Sequence, residues 1–238
     1  PVMIFADLYY LDYYGTDTHF APHSLLVVGY EESEDGEYVH LADSEFAEIQ
    51  RLPTDRLREA LTSTHVVPLQ CRYLTVDEPT VTVDFEEAAK KAIRETATYM
   101  LDPAESHRES KYFSGQGVGE IERFAEDLPT WDDLPDPSWT IRFAYQNIER
   151  RGTGGGAFRR LFASFLEAAS EAVSLPDDAP EEMSEIADDW TELAGVLREA
   201  SETESEADRQ SLLWEASEQA GAVGQREAEL YRRLIERG

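Results

Sequence analysis

The chain has 238 residues, enough for one large domain or two small ones, and 41% are hydrophobic, so a core can form. Fifty acidic residues against 21 basic ones give a net charge of −29, which argues against a nucleic-acid partner, since phosphate binding wants clustered Lys and Arg. No apolar run approaches the ~18 residues of a membrane span, no signal peptide is read at the start, and the single cysteine, Cys71, excludes an internal disulfide.

Only Lys90, Lys91 and Lys111 are lysines, and the acids are spread along the whole chain. With aromatics at 11%, this reads as a folded protein with an acidic, lysine-poor coat rather than a disordered acidic tail. Such a coat suits a cytoplasm of very high salt, where screening removes most self-repulsion. A halophilic source and a cytoplasmic location are therefore expected. No CxxC or HExxH spacing is present, so neither a metal site nor a cofactor is expected.

In chain order, PVMIFADLYYL opens the sequence as a strand, and YYGTDTHFAP is a loop marked by Gly15, Asp17 and Pro22. HSLLVVGYEE is a second strand. SEDG, Ser33 to Gly36, is a hairpin turn, and EYVHLAD is a third strand. RLPTDRLREAL holds a short helix capped by Thr54, with Leu57 and Leu61 at helical spacing. HVVPLQCRYLTV is a fourth strand, which Pro68 makes an edge or a bulge. DEPTVTVD, residues 77 to 84, is a hinge.

After the hinge the period becomes helical. Helices are expected at 85 to 101, 117 to 128, within SWTIRFAYQNIERR, after the break GTGGG at 152 to 156, and at roughly 180 to 201 and 205 to 237. Met183, Ile186, Trp190, Leu193 and Leu197 form one apolar face. Trp131, Trp139, Trp190 and Trp214 are read as core. The fold class is α+β: a small, mostly antiparallel sheet over residues 1–78 and an all-α helical bundle over 79–238. The long C-terminal helices can pack at home or pair with a second copy as a homo-oligomer.

His23 starts one strand and Asp43 ends the next. Antiparallel pairing across SEDG puts His23 opposite about position 46, close to Asp43. A carboxylate on one ring nitrogen fixes the tautomer and leaves the other free as a base. The alternative is a satisfied surface histidine. The glycine-rich break raises a second candidate. Arg151, Gly152, Thr153, Gly154, Gly155 and Arg159, with Arg150 and Arg160 beside them, can cradle an anion or a carrier's phosphopantetheine on backbone amides. The alternative there is a tight interhelical corner. A P-loop is excluded, because no Lys-Ser or Lys-Thr follows the glycines.

PVMIFADLYYLDYY, HSLLVVGYEE and VHLADSEF resemble the second half of a papain-like cysteine fold. They are similar to bacteriocin-processing peptidases and, more closely, to the butirosin biosynthesis protein H family. The segment RGTGGGAFRRLFASFLEAAS resembles the helical domain of unknown function that follows in that family. The resemblance implies cysteine-dependent acyl transfer or amide hydrolysis: an acyl group passes from a carrier-protein thioester to the amine of a small molecule. His23 is then the general base, Asp43 its orienter, and Asp7 a support for the site or only for the fold. In the family the cysteine precedes the histidine, and no cysteine precedes His23 here. The nucleophile is therefore expected upstream of residue 1, with this chain alone inactive; Cys71 is read as a buried structural thiol. The competing reading is an inactive relic or binding module whose glycine-rich, arginine-flanked face holds an anionic or carrier-protein partner.

Overall fold

The structure is a computed structural model that describes residues 1–76, 84–103 and 115–237. It divides into two compact units, Pro1–Val81 and Thr82–Gly238. The class is α+β, with a five-stranded antiparallel sheet in the first unit and helices in the second. The segment read as a hinge falls, for residues 77–83, outside the described residues.

The sheet has the order β4-β3-β2-β1-β5: β1 Val2–Ala6, β2 His23–Ser33, β3 Gly36–Ala42, β4 Gln50–Pro53 and β5 Tyr73–Leu74. The SEDG turn closes as expected, with Ser33 opposite Gly36. Helix α1, Thr54–Thr62, covers one face. Ile4, Ala6, Leu25, Val39, Leu41 and Leu52 are buried there with Ala60, and each large aliphatic contributes about 1.5–3 kcal/mol by leaving water. Leu57 and Leu61 pack on the same cluster.

Four local expectations need correction. The opening strand stops at Ala6, because the Asp7 side chain accepts the Tyr9 amide and turns the chain into two short 3₁₀ turns, Leu8–Tyr10 and Asp12–Tyr14. β4 lies where only a helix was read. Thr54 does not cap α1: Pro53 holds the cap position without a side-chain bond, and the Thr54 hydroxyl turns to Glu37. HVVPLQCRYLTV is mostly loop, with a strand only at Tyr73–Leu74; Gln70 and Cys71 adopt left-handed backbone there, and Cys71 is exposed rather than buried.

The second unit contains α2 Phe85–Leu101, α3 Val118–Asp127, α4 Pro137–Glu149, α5 Arg159–Ser170, α6 Ala179–Glu202 and α7 Glu206–Arg237. α6 and α7 pack along each other, α4 and α5 lie on α6, and α2 and α3 lie on α7. The stripe Met183, Ile186, Trp190, Leu193 and Leu197 is buried as its spacing requires. Trp131 is half-buried. Trp139 and Trp214 are exposed and not core; Trp139 instead stacks on Phe143 at 5.2 Å.

One charge lies at the centre of this bundle. Glu227 is fully buried on α7 and takes both Arg159 Nε and Nη2 at 2.8 Å and Trp190 Nε1 at 2.6 Å. Burial alone would depress the Arg159 guanidinium, and the Glu227 charge more than offsets it. Removing one partner strands the other. Glu227→Ala is expected to lower the unfolding free energy by about 3–5 kcal/mol, read as a shift in the urea midpoint. Replacing both ends together, Glu227→Leu with Arg159→Met, is expected to recover most of that loss.

Candidate active site

The hairpin of β2 and β3 is not regular, and the irregularity builds the site. From Ser33↔Gly36 to Gly29↔His40, odd positions of one strand face even positions of the other. Continued unbroken, that register would put Asp43 on the opposite side of the sheet from His23. A β-bulge at Val28 inserts one residue, so that Val27 faces Leu41 and odd positions face odd ones. His23, Leu25, Leu41 and Asp43 then share the α1 side. Gly29 follows the bulge because a Cβ there would stand 3.1 Å from the His40 ring.

His23 Nε2 lies 3.0 Å from Asp43 Oδ2. The carboxylate is fully buried, while the imidazole remains 14% exposed. Two tyrosines complete the shell. Tyr13 donates to Asp43 Oδ2 at 3.0 Å, and the Tyr14 hydroxyl lies 3.1 Å from both carboxylate oxygens and 3.2 Å from His23 Nε2. The Glu45 amide adds a further donor at 3.3 Å. Phe46 packs edge-on against both tyrosine rings.

Protonation states follow from this bonding. Burial pushes the Asp43 carboxyl up, but the bonds from His23, Glu45 and Tyr13 prevail and hold it below the usual carboxylate range. An ionised carboxylate has no proton to give, so Nε2 of His23 carries the hydrogen. Nδ1 is the nitrogen left with a lone pair whenever the ring is neutral, and it has no hydrogen-bond partner among the described residues. Burial first, then the Asp43 charge, pushes the Tyr13 and Tyr14 hydroxyls up, so both stay protonated donors. The geometry is a held imidazole with one nitrogen available as a base.

Neither tyrosine was picked out from the sequence, where Tyr13 and Tyr14 fell in a segment read as a loop. Asp7 is buried too, but it does not bond His23. It takes His19 Nδ1 at 2.8 Å, Ser63 Oγ at 2.6 Å, and the amides of Phe20 and Tyr9. Its backbone amide also bonds the Ala60 carbonyl. His19 was likewise not singled out in the segment YYGTDTHFAP read as a loop.

The glycine-rich break forms the tight corner. Gly152, Gly154, Gly155 and Gly156 all have positive φ, and a Cβ on Gly156 would sit 2.6 Å from the Ala187 carbonyl oxygen on α6. Its amides are turned inward: Gly156 N bonds Glu149 Oε2 and Gly155 N bonds the Thr153 hydroxyl. Arg159 is committed to Glu227, Arg160 to Asp188 and Thr191, and Arg151 to Gln146. Of the residues expected to cradle an anion, Arg151, Thr153, Gly155 and Arg159 thus bond within the protein.

The two buried carboxyls of the first unit, Asp7 and Asp43, titrate below the ordinary carboxylate value in the folded chain. Their stabilisation is therefore full above that value and is lost as pH falls through the range below about 4. Asp43→Asn is expected to cost about 2 kcal/mol at neutral pH. Its urea midpoint should converge on the wild-type value as the pH is lowered toward 3.

Two family models match the chain. Residues 1–44 match "Butirosin biosynthesis protein H, N-terminal", which covers Asp7, His19, His23 and Asp43. Residues 55–234 match "Domain of unknown function (DUF4872)", a span that begins inside α1 and runs through the helical unit. Likeness to bacteriocin-processing peptidases is not among these matches. No curated protein matches the chain. The second model covers well over half the sequence, and the chain belongs to the family described as Domain of unknown function (DUF4872), carrying a butirosin biosynthesis protein H-like N-terminal segment.

Proposed function

We propose that this chain carries the histidine–carboxylate part of a cysteine-dependent acyltransferase or amide hydrolase of the butirosin biosynthesis protein H type. The observation that supports it most is the 3.0 Å pair of His23 Nε2 and the buried Asp43, reached through a bulge that brings both onto one face. On this reading a thiol lies beside Nδ1 of His23, which takes its proton. The thiolate attacks a carrier-bound thioester, the carrier leaves as a thiol with the proton from Nδ1 of His23, and the acyl group on the sulfur then passes to an amine. On this reading Cys71, which follows the pair in the chain and lies exposed in the loop beyond α1, is not that thiol. On the same reading the thiol is supplied by a group other than residues 1–238. The acidic coat fits work in a salt-rich cytoplasm.

In a protein that supplies the thiol, release of free thiol from an acyl thioester in the presence of an amine measures turnover. His23→Ala is expected to lower it by about 10²–10⁴-fold while leaving the fold intact. Turnover at the wild-type rate would remove His23 as the base. Tyr14→Phe, which deletes a bond to both His23 and Asp43, should give a smaller loss.

A second reading, a binding module for an anionic or carrier partner, has its own support. A cavity of about 440 Å³ between α4 and α6 is lined by Arg150, Arg198, Thr191, Tyr145 and Gly195, with Glu149 at its side. Neither Arg150 nor Arg198 is in an ion pair among the described residues. This moves the anion site one wall away from the glycine loop. Inorganic phosphate titrated in a calorimeter tests it: heat abolished by Arg150→Ala with Arg198→Ala supports the module, and no heat in the wild type removes it.

A further inference from the structure

The first unit contains a second histidine–carboxylate pair, built with the opposite ring nitrogen. Asp7 is fully buried, and four donors converge on it. Burial pushes its carboxyl up, and the bonds from Ser63, His19, Tyr9 and Phe20 prevail and keep it ionised. Nδ1 of His19, 2.8 Å from Asp7 Oδ2, therefore carries a hydrogen, and Nε2 is the nitrogen left with a lone pair whenever the ring is neutral. No described residue bonds Nε2.

The ring cannot turn away from this arrangement. Tyr9 stacks on one side at 4.2 Å and 25°, and His65 on the other at 3.9 Å and 15°. His65 is itself tied to the pair, because Ser63 Oγ bonds both Asp7 and the His65 amide. His19 keeps 28% of its side chain exposed. Tyr9, stacked on it, Phe20, next to it in the chain, and Val66 and Val67, which follow His65, all leave apolar surface in water. An oriented, polarised imidazole with its lone pair outward in an apolar rim is the arrangement of a proton acceptor.

Both pairs lie at one end of the sheet. Ala6, the last residue of β1, pairs with His23, and Asp7 follows it directly. We propose that His19 is a second, activated imidazole, held by Asp7, that accepts a proton from a group entering over the Tyr9–Phe20–Val66–Val67 rim. The identity of that group rests on the acyl-transfer reading, in which it is the acceptor amine. An alkylammonium has no lone pair, so transfer to an amine needs a base beyond the one that ionises the thiol. His19 Nε2 takes one proton from the ammonium. The freed lone pair forms the C–N bond to the thioester carbonyl carbon, the second proton passes to Nδ1 of His23, and the C–S bond breaks to leave the thiolate. Two protons leave the ammonium and two imidazoles receive them.

Carbethoxylation of the purified chain by diethyl pyrocarbonate at neutral pH, mapped by peptide mass, tests the activated imidazole without any substrate. His19 is expected to react faster than His65 and His40, although His65 is the more exposed ring. Asp7→Asn is expected to slow His19 by about tenfold and to leave His65 and His40 unchanged. A His19 slower than the exposed rings, or indifferent to Asp7→Asn, overturns the proposal. If Asp7→Asn unfolds the unit, the ¹⁵N shifts of the wild-type ring decide instead: hydrogen on Nδ1 supports it and hydrogen on Nε2 overturns it. The amine role has a separate readout in a protein that supplies the thiol. His19→Ala should lower aminolysis of an acyl thioester by about 100-fold more than it lowers hydrolysis of the same thioester; equal loss of both refutes that role. Fast, Asp7-dependent carbethoxylation with no thioester turnover in a protein that supplies the thiol would leave the activated imidazole standing and remove the acyl-transfer reading.

Discussion

A carboxylate taken out of water must be surrounded by donors, and at Asp43 that requirement organises the first unit. Unsatisfied, its charge would cost several kcal/mol. The donors come from three separate stretches: Tyr13 and Tyr14 from a 3₁₀ turn, His23 from the first residue of β2, and the Glu45 amide from the turn after β3. Satisfying one side chain thus fixes the loop between β1 and β2 against the end of the hairpin. The same bonds settle which nitrogen of His23 is free. The stabilising interaction and the chemical one are one network, so substitutions that weaken the first also blur the second.

The two imidazoles show how a carboxylate assigns function by choosing a nitrogen. At His23 the carboxylate holds Nε2 and frees Nδ1; at His19 it holds Nδ1 and frees Nε2. The two lone pairs therefore leave their rings from different edges. The difference comes from where each carboxylate sits: Asp43 is across the hairpin from His23, and Asp7 is at the foot of the loop that carries His19.

Much of this was legible in the sequence, and the misses have physical causes. Period-2 and period-3.6 patterns report burial on one face, so β2, β3 and the long helices α6 and α7 were placed nearly to the residue. The pattern fails where side chains take over backbone bonding. Asp7 capping the Tyr9 amide ends β1 early, and nothing in PVMIFADLYYL announces it. The His23–Asp43 pair was expected from a regular hairpin, yet a regular hairpin would have separated the two; the bulge at Val28 is what joins them. A bulge is one unpaired residue, and its only trace in the sequence is a glycine, Gly29, whose missing Cβ makes room for His40.

The glycine-rich segment carries the opposite lesson about motifs. Four positive-φ glycines beside four arginines look like an anion cradle, but Arg159 and Arg160 pair with Glu227 and Asp188 and Arg151 bonds Gln146, which leaves only Arg150 of the four outside such bonds among the described residues. Arg159 reaches inward to Glu227 because Gly156, with no Cβ, lets the turn close onto Ala187. Ala157 and Phe158 are then carried through left-handed backbone, and the Ala157 carbonyl accepts Arg159 Nη1 at 2.7 Å. Strain of about 1–3 kcal/mol per such residue persists because the buried ion pair over-determines it. Glycine and arginine recur together here as the two halves of one closure, the first allowing the approach and the second bonding across it, and that closure keeps α5, α6 and α7 in register.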